Sequence, residues 1–514
     1  MKKVIITVFV TVLSIVIILL GGFGLNHYIK NHKSLEMTDR IKTKYNTNEE
    51  GTRIIDIPFE DYISKDKKPS NTVVPNISEN EKGEENSKAI NDAVNSLTSG
   101  GVVYIPKGEY KVSTITLKSN VTLFVSEGAK LVSLNCEENE KSDNPLSSSV
   151  VYADKAENIR ITGGGTICGS GESYTKPAEK PSPLYALKKF NLYVRVMESR
   201  KRIRFSKDTV RNNIILLNEC ENVKIDNIVL EESATWTLVI KNCENVSVKN
   251  VVIDNNMHVA NTDGIDVCGG SKIQISHCFI ATGDDAIVLK SNEGEISNVT
   301  VEGCILSSFA NCFKIGTETP CDVSDVSVSD CKFFMPNGIT GGYAGIAIES
   351  ADGANISNVK VDNVEMDGVS SPILIWLGNR LKYGKDEVGS IKNVSISNVN
   401  AVNTELPSAI TGCKHDGEIY NVENVTLSNI IATYRDTLED LRIRKNVSDI
   451  SMNGYPEITR VSHYYFLSHE FSEYWDLPCY SLFVRYAEDI DYSGYKTIPR
   501  TCSELDEFYV EDAT

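Results

Sequence analysis

An all-β chain wound as a parallel β-helix is the fold that this sequence predicts. Three observations carry the prediction. A strand phrase recurs along the middle of the chain, its period is short, and its apolar positions exchange between aliphatic residues and cysteine. The phrase reads Asn, aliphatic, any residue, aliphatic, any residue, then often Asn or Asp. Copies begin at Asn158, Asn222, Asn245, Asn298, Asn358, Asn393 and Asn424, with Lys272 and Asp325 heading two variants. Alternation of apolar and polar residues marks a strand with one buried face. Heads from 222 to 325 lie 23, 27, 26 and 27 residues apart, and later ones 31 to 35 apart. Strand-only repeats of that length imply a solenoid. A propeller blade would need about four strands in roughly 40–50 residues.

The thirteen cysteines fit the same coil. Cys278, Cys304 and Cys331 stand six residues after their heads, where other copies hold Ile228, Val251, Val364, Val399 or Ile430. Cys220 and Cys243 stand two before theirs, where other copies hold Val323, Ile356, Ile391 and Val422. They are expected inside the coil as small hydrophobes. Export would permit disulfides, and the odd count leaves at least one thiol free. No Cys-x-x-Cys pair occurs, so the cysteines give no support for a metal site.

The elements follow in chain order. Val4 to Leu25 is a run of 22 uncharged residues behind Lys2 and Lys3, long enough to span a bilayer. Residues 1–30 are therefore expected to be a cytoplasmic tip and transmembrane signal anchor, with the rest of the chain extracellular. Cleavage as a signal peptide, giving a secreted protein, is the alternative, although Gly22-Phe23-Gly24 is a poor cleavage site. Lys30 and Lys33 oppose the orientation that the leading lysines favour.

Residues 31–84 are polar and read as a linker, with apolar patches at Ile54 to Phe59 and Val73 to Ile77. Ile90, Ala93, Val94 and Leu97 fall at helical spacing before Gly100-Gly101, which predicts a helix capping the first coil. The β-helix domain spans residues 85–430. Residues 431–514 lose the repeat and gain aromatics, among them Tyr464, Tyr465, Phe466, Tyr474 and Trp475. They are expected to form C-terminal coils and a cap packed on the helix. A formal charge of −18 excludes a general nucleic-acid binder. A monomer is expected.

Two acidic signatures dominate the coils: Asn261-Thr262-Asp263-Gly264 and Gly283-Asp284-Asp285. Asp263 and Asp284 are 21 residues apart, about one repeat. Neighbouring rungs would bring their carboxylates roughly 4.8 Å apart along the stack. Crowded carboxylates resist joint ionisation, so such a cluster does chemistry, binds a metal or is otherwise compensated.

Asn261-Thr262-Asp263-Gly264-Ile265-Asp266 followed by Thr282-Gly283-Asp284-Asp285 resembles the core of glycoside hydrolase family 28, the polygalacturonases and rhamnogalacturonases. Supporting phrases are Gly100-Gly101-Val102-Val103-Tyr104-Ile105-Pro106, Leu117 to Leu123, Ile161 to Ile167, and Ser233 to Trp236. The resemblance covers roughly residues 85–495 and implies a right-handed, pectin-lyase-like β-helix that hydrolyses glycosidic bonds with inversion. It makes Asp284 the general acid, and Asp263 with Asp285 the pair that activates water. Inversion needs acid and base about 6.5–9.5 Å apart to admit the water. Two ionised neighbours would help keep the acid protonated. No cofactor is implied, and a Ca²⁺ site is the competing reading of the three acids.

The chain departs from the common family pattern in two places. Ala310-Asn311-Cys312 stands where Gly-His-Gly is usual, and Ile346-Ala347-Ile348-Glu349 where Arg-x-Lys grips the substrate carboxylate. Phe313-Lys314-Ile315-Gly316-Thr317-Glu318, Pro372 to Arg380 and Leu477 to Arg485 look like a divergent bacterial branch. The expected substrate is a pectic polysaccharide or oligosaccharide. Lys290 and Lys314, 24 residues apart, could form a cationic step that holds it, with Arg380 a further cation. Asn261, Asn311, Glu318 and His258 are expected around the cleft, and Trp236 and Tyr343 as sugar-stacking platforms, core packing being an equal contender for both. Arg195 to Arg211 carries seven basic residues against two acids and reads as a solvated face or an anionic subsite. The rival classes are a β-helix polysaccharide lyase and a non-catalytic glycan-binding surface protein. The absence of Arg between Arg211 and Arg380 counts against an Arg-dependent lyase. Retention of all three Asp counts against binding alone.

Overall fold

The computed structural model describes residues 72–135, 149–176, 211–257, 259–335, 344–404, 406–434, 479–498 and 506–514, with short strands at 45–47, 53–55 and 204–205. The N-terminal apolar run, most of the linker, most of the basic stretch before Arg211 and the aromatics from Tyr464 to Trp475 lie outside the described residues. Among the described residues no helix is long and apolar enough to cross a membrane.

The coil is a stack of parallel strands in register. One ladder runs through Leu238–Lys241, Ile265–Val267, Ile287–Leu289, Asn311–Ile315, Ala344–Ser350 and Ser371–Leu377. A second carries the Asn-headed phrases of Glu221–Glu231, Cys243–Asp254, Gly270–Ser276, Ile296–Glu302 and Val323–Phe334. A third joins Thr166–Cys168 to the end of Glu221–Glu231, and the end of Cys243–Asp254 to Phe279–Thr282 and Ile305–Ser308. Cys479–Asp491, Tyr495–Ile498 and Asp506–Ala513 extend the same stack at its C-terminal end.

The Asn heads have a backbone reason. Asn222, Asn245, Asn298, Asn358, Asn393 and Asn424 all sit at positive φ, as do Lys272 and Asp325. The second corner, five residues on, repeats this at Asn227, Asn250, His277, Asp330, Asn363, Asn398 and Asn429. Asn and Asp tolerate the left-handed conformation better than other residues with a Cβ. Their amides also bond from rung to rung: Asn245 Nδ2 donates to Asn222 Oδ1 at 2.6 Å and Asn424 Nδ2 to Asn393 Oδ1 at 2.7 Å. Asn358 Nδ2 donates to Asp325 Oδ1 at 3.0 Å.

Inside, one apolar cluster runs from Ile90 to Tyr495. Cys220, Cys243, Cys278, Cys304 and Cys331 are buried in it as free thiols. The capping helix is Gly83–Ser96, which buries Ile90, Ala93 and Val94 against the first coil and begins two residues ahead of the expected domain boundary. Thr72–Val73, still in the linker, pairs in parallel with Val102 and Val103 and adds a short strand to that coil.

Candidate active site

Asp263 and Asp285 lie in the turns that lead into two adjacent rungs of one ladder, Ile265–Val267 and Ile287–Leu289. The turns are held by a buried amide. Asn255 Nδ2 donates to Thr237 Oγ1 at 2.7 Å, to the Thr262 carbonyl at 3.2 Å and to Thr282 Oγ1 at 3.2 Å, while its Oδ1 accepts the Ser233 N–H at 2.8 Å. Three rungs are thus tied at one point. The backbone must also approach closely: a Cβ on Gly264 would come 2.4 Å from the Ala286 carbonyl oxygen, and one on Gly283 would come 2.1 Å from that of Val259. That is the physical content of Gly in both acidic signatures.

The three carboxylates converge, each offering an oxygen within 4.8 Å of the others. Asp263 and Asp285 are buried and Asp284 is half-buried. Asp284 Oδ2 accepts the Asn261 backbone N–H at 2.9 Å, with Asn261 itself exposed and at positive φ. Asp285 Oδ1 accepts two bonds from Asn311, from Nδ2 at 2.7 Å and from the backbone N–H at 3.2 Å. Asn311 Oδ1 in turn accepts the Ala344 N–H at 3.1 Å.

Each buried acid has an ammonium group beside it. Lys290 Nζ lies 2.9 Å from Asp263 Oδ2 and 2.7 Å from Asp266 Oδ1, and 3.8 Å above the centre of the Trp236 ring. Lys314 Nζ lies 3.4 Å from Asp285 Oδ2 and 4.0 Å from Glu349 Oε2. One lysine between two fully enclosed carboxylates cannot offset both. Burial pushes Asp263 well above the usual carboxylate range against the pull of Lys290, and Asp266, Asp284 and Asp285 push it further. Asp266 is raised to about 6, again chiefly by burial and against Lys290. Lys290 loses affinity for its proton through burial but gains more from Asp263 and Asp266, and stays charged. The consistent state of this triad is a charged Lys290, one ionised carboxylate and one proton held on the other.

A family model described as "Glycosyl hydrolases family 28" matches residues 98–448, more than half of the chain. The chain belongs to this family. Its relatives include an "Endo-polygalacturonase" of Pectobacterium parmentieri, 27% identical over 353 residues that span 63% of this chain and 81% of the relative. A "Polygalacturonase-2" of Solanum lycopersicum is 26% identical over 43% of each chain. Among solved structures, the polygalacturonase from Erwinia carotovora ssp. carotovora has a TM-score of 0.54 and 23% identity, covering 75% of this chain and 99% of its own. A hyperthermoactive exopolygalacturonase from Thermotoga maritima has a TM-score of 0.53 and 18% identity, covering 73% and 90%. At those identities the two structures speak to the fold.

Within this family 28 chain, the two lysines expected to form a cationic step stand beside the aspartates, and both are enclosed. Lys290 is 5% exposed and Lys314 3%, because each side chain is enclosed by wall carboxylates and does not face solvent. Arg380 is likewise turned inward: Nε donates to Asp352 Oδ1 at 2.9 Å, Nη2 pairs with Asp352 Oδ2 and donates to the Thr317 carbonyl at 2.8 Å. Trp236 is half-buried as the floor under Lys290. The nearest oxygens of the three acids lie within 4.8 Å of one another, brought together by adjacent rungs and consecutive residues.

Glu318 is half-buried, and its charge acts on both Asp266 and Lys290. His258 and Tyr343 lie outside the described residues. Arg211, at the end of the basic stretch, donates Nη1–H to the Ala234 carbonyl at 3.3 Å.

Sequence reasoning missed Asp266, Glu349, Asp352 and Asn255. Asp266 stood inside the acidic signature, and its distance of 24 residues from Lys290 was one period, a usable signal. Tyr383 was missed too: it is exposed on the loop that follows Ser371–Leu377, with Glu318 and Asp352 pushing its phenol up after burial has done so.

Proposed function

We propose that this chain is an inverting glycoside hydrolase that cleaves pectin-type polysaccharide, with polygalacturonase-like chemistry at Asp263, Asp284 and Asp285. The observation that carries the reading is the convergence of these three carboxylates on adjacent rungs, two enclosed and one reaching solvent. Family membership and relatives named as polygalacturonases support the substrate class.

The division of labour follows from access. Asp284, the accessible carboxyl, protonates the glycosidic oxygen as the bond to the anomeric carbon breaks. Asp285, oriented by Asn311 and Lys314, and Asp263, oriented by Lys290, hold a water against the opposite face of the sugar and take its proton. The same three carboxylates would also suit a divalent cation. The ammonium groups of Lys290 and Lys314 already supply positive charge on two of the three, which is why the reading runs through acid–base chemistry.

The chain is read as held at the membrane by residues 4–25, with the β-helix outside the cell. Recovery of the full chain from medium, shortened at its N-terminus, would replace that anchor with a cleaved signal.

The chemistry is tested by measuring reducing ends released from a panel of defined pectic fragments by the full chain and by Asp284→Asn. The variant should lose about a thousandfold or more in kcat, the order expected when a transition-state proton donor is removed. Proton NMR of the fresh product should show the anomer opposite to the one cleaved. Undiminished hydrolysis by Asp284→Asn would sink the assigned roles, and a retained anomer would sink inversion.

A further inference from the structure

We infer that the sugar bound over the three catalytic carboxylates is uncharged: a neutral residue, or a uronate whose carboxyl is esterified. The inference rests on the hydrolase reading above and names the substrate class that this site accepts.

It follows from where the positive charge has gone. Five carboxylates, those of Asp263, Asp266, Asp284, Asp285 and Glu349, stand with two ammonium groups in one wall, all of them enclosed except the half-buried Asp284. Lys290 is divided between Asp263 and Asp266, and Lys314 between Asp285 and Glu349. Arg380, in the loop after Ser371–Leu377, is closed into a fork with Asp352. Even with one proton on the catalytic trio and another on Asp266, five acids and two lysines sum to −1. Among the described residues, no state that catalysis uses turns this wall positive.

A substrate carboxylate set here would lose hydration and meet net negative charge, a penalty that an uncharged group escapes. The register shows how this arose. Lys314 is level with Ala347 on the next rung, and Glu349 is two residues further along the same strand. The acid Glu349 thus sits where its charge attracts Lys314 from the later rung, 4.0 Å away. A hydroxyl, an ester carbonyl or a methyl group needs no counter-ion, and the half-buried Glu318 can accept a hydrogen bond from a hydroxyl.

The test compares two probes of equal length, a de-esterified oligogalacturonide and its fully methyl-esterified form, with the full-length chain. The expected result is a kcat/KM at least about tenfold higher on the ester, the discrimination that one uncompensated charge typically gives. Glu349→Gln, which frees Lys314 from one of its two acids, should shift that ratio toward the de-esterified probe by about threefold or more. Equal or faster cleavage of the de-esterified probe would overturn the inference and leave the hydrolase reading standing. An unmoved ratio in Glu349→Gln would overturn the role given to Lys314. Cleavage of neither probe, nor of any fragment in the wider panel, would overturn the hydrolase reading itself.

Discussion

Replacing Lys290 by Met should cost stability in a strongly pH-dependent way. The side chain is enclosed, bridges Asp263 and Asp266, and lies on the Trp236 ring. Met keeps most of the unbranched stem, so the packing against Trp236 is largely retained and the lost element is the charge. Removing one partner of a buried ion pair leaves the other uncompensated and typically costs about 3–5 kcal/mol.

Here the stranded groups are two carboxyls that burial already raises. Without the ammonium their folded-state proton affinity rises further, while in the unfolded chain they release protons near pH 4. A carboxyl raised on folding contributes stability at low pH, and that contribution is lost as pH rises through its folded value. Each extra proton held by the folded state removes about 1.4 kcal/mol per pH unit. The variant should therefore lie within about 1 kcal/mol of wild type near pH 5 and lose about 3 kcal/mol or more near pH 8. Urea midpoints and Tm at both pH values measure this. Adding Asp266→Asn should recover a large part of the loss at the higher pH, which a double-mutant cycle isolates. A loss below about 1 kcal/mol near pH 8, as for an exposed pair, or one of equal size at both pH values, would refute the reasoning.

Two further outcomes follow from the same geometry. Asn311→Ala removes both the side-chain bond to Asp285 Oδ1 and the acceptor for the Ala344 N–H, so kcat should fall about ten- to a hundredfold with little change in KM, read by reducing-end kinetics. Asn358→Ala places a Cβ without amide chemistry at a left-handed corner and breaks the bond to Asp325, so the urea midpoint should drop by the equivalent of about 1–3 kcal/mol with activity per folded molecule unchanged.

The coil was legible because its period repeats in residues with a backbone reason to repeat. Asn at a left-handed corner and buried aliphatics one and three residues on are local requirements, and each copy states them again. The acids were legible for the same reason, since Asp263 and Asp284 are one coil apart. What stayed hidden were partnerships across coils of unequal length. Lys314 and Glu349 are 35 residues apart where the lower coils have a period near 26, so counting could not bring them together. Lys290 misled differently. Its distance from Asp263 and Asp266 was one period, but a sequence does not tell whether a lysine at that place points to solvent or is sealed between two carboxylates.

The ladder also explains how cations can leave the cleft face without emptying the wall of charge. Outward positions of successive rungs are one row, so a residue on one rung can take over the contact that its register partner one rung away would otherwise make. Ala347 offers no charge, and Lys314, level with it one rung earlier, supplies an ammonium group to Asp285. Glu349 then faces Lys314 from the later rung, 4.0 Å away. On the inference above, Asp285 keeps a counter-ion and the substrate is offered none. Catalysis depends on the first and sugar choice on the second, so the two can diverge along a ladder without disturbing the three aspartates. On this account the specificity of the site is set by how the row of outward side chains pairs within itself, and Glu349→Gln is the substitution that separates the two roles.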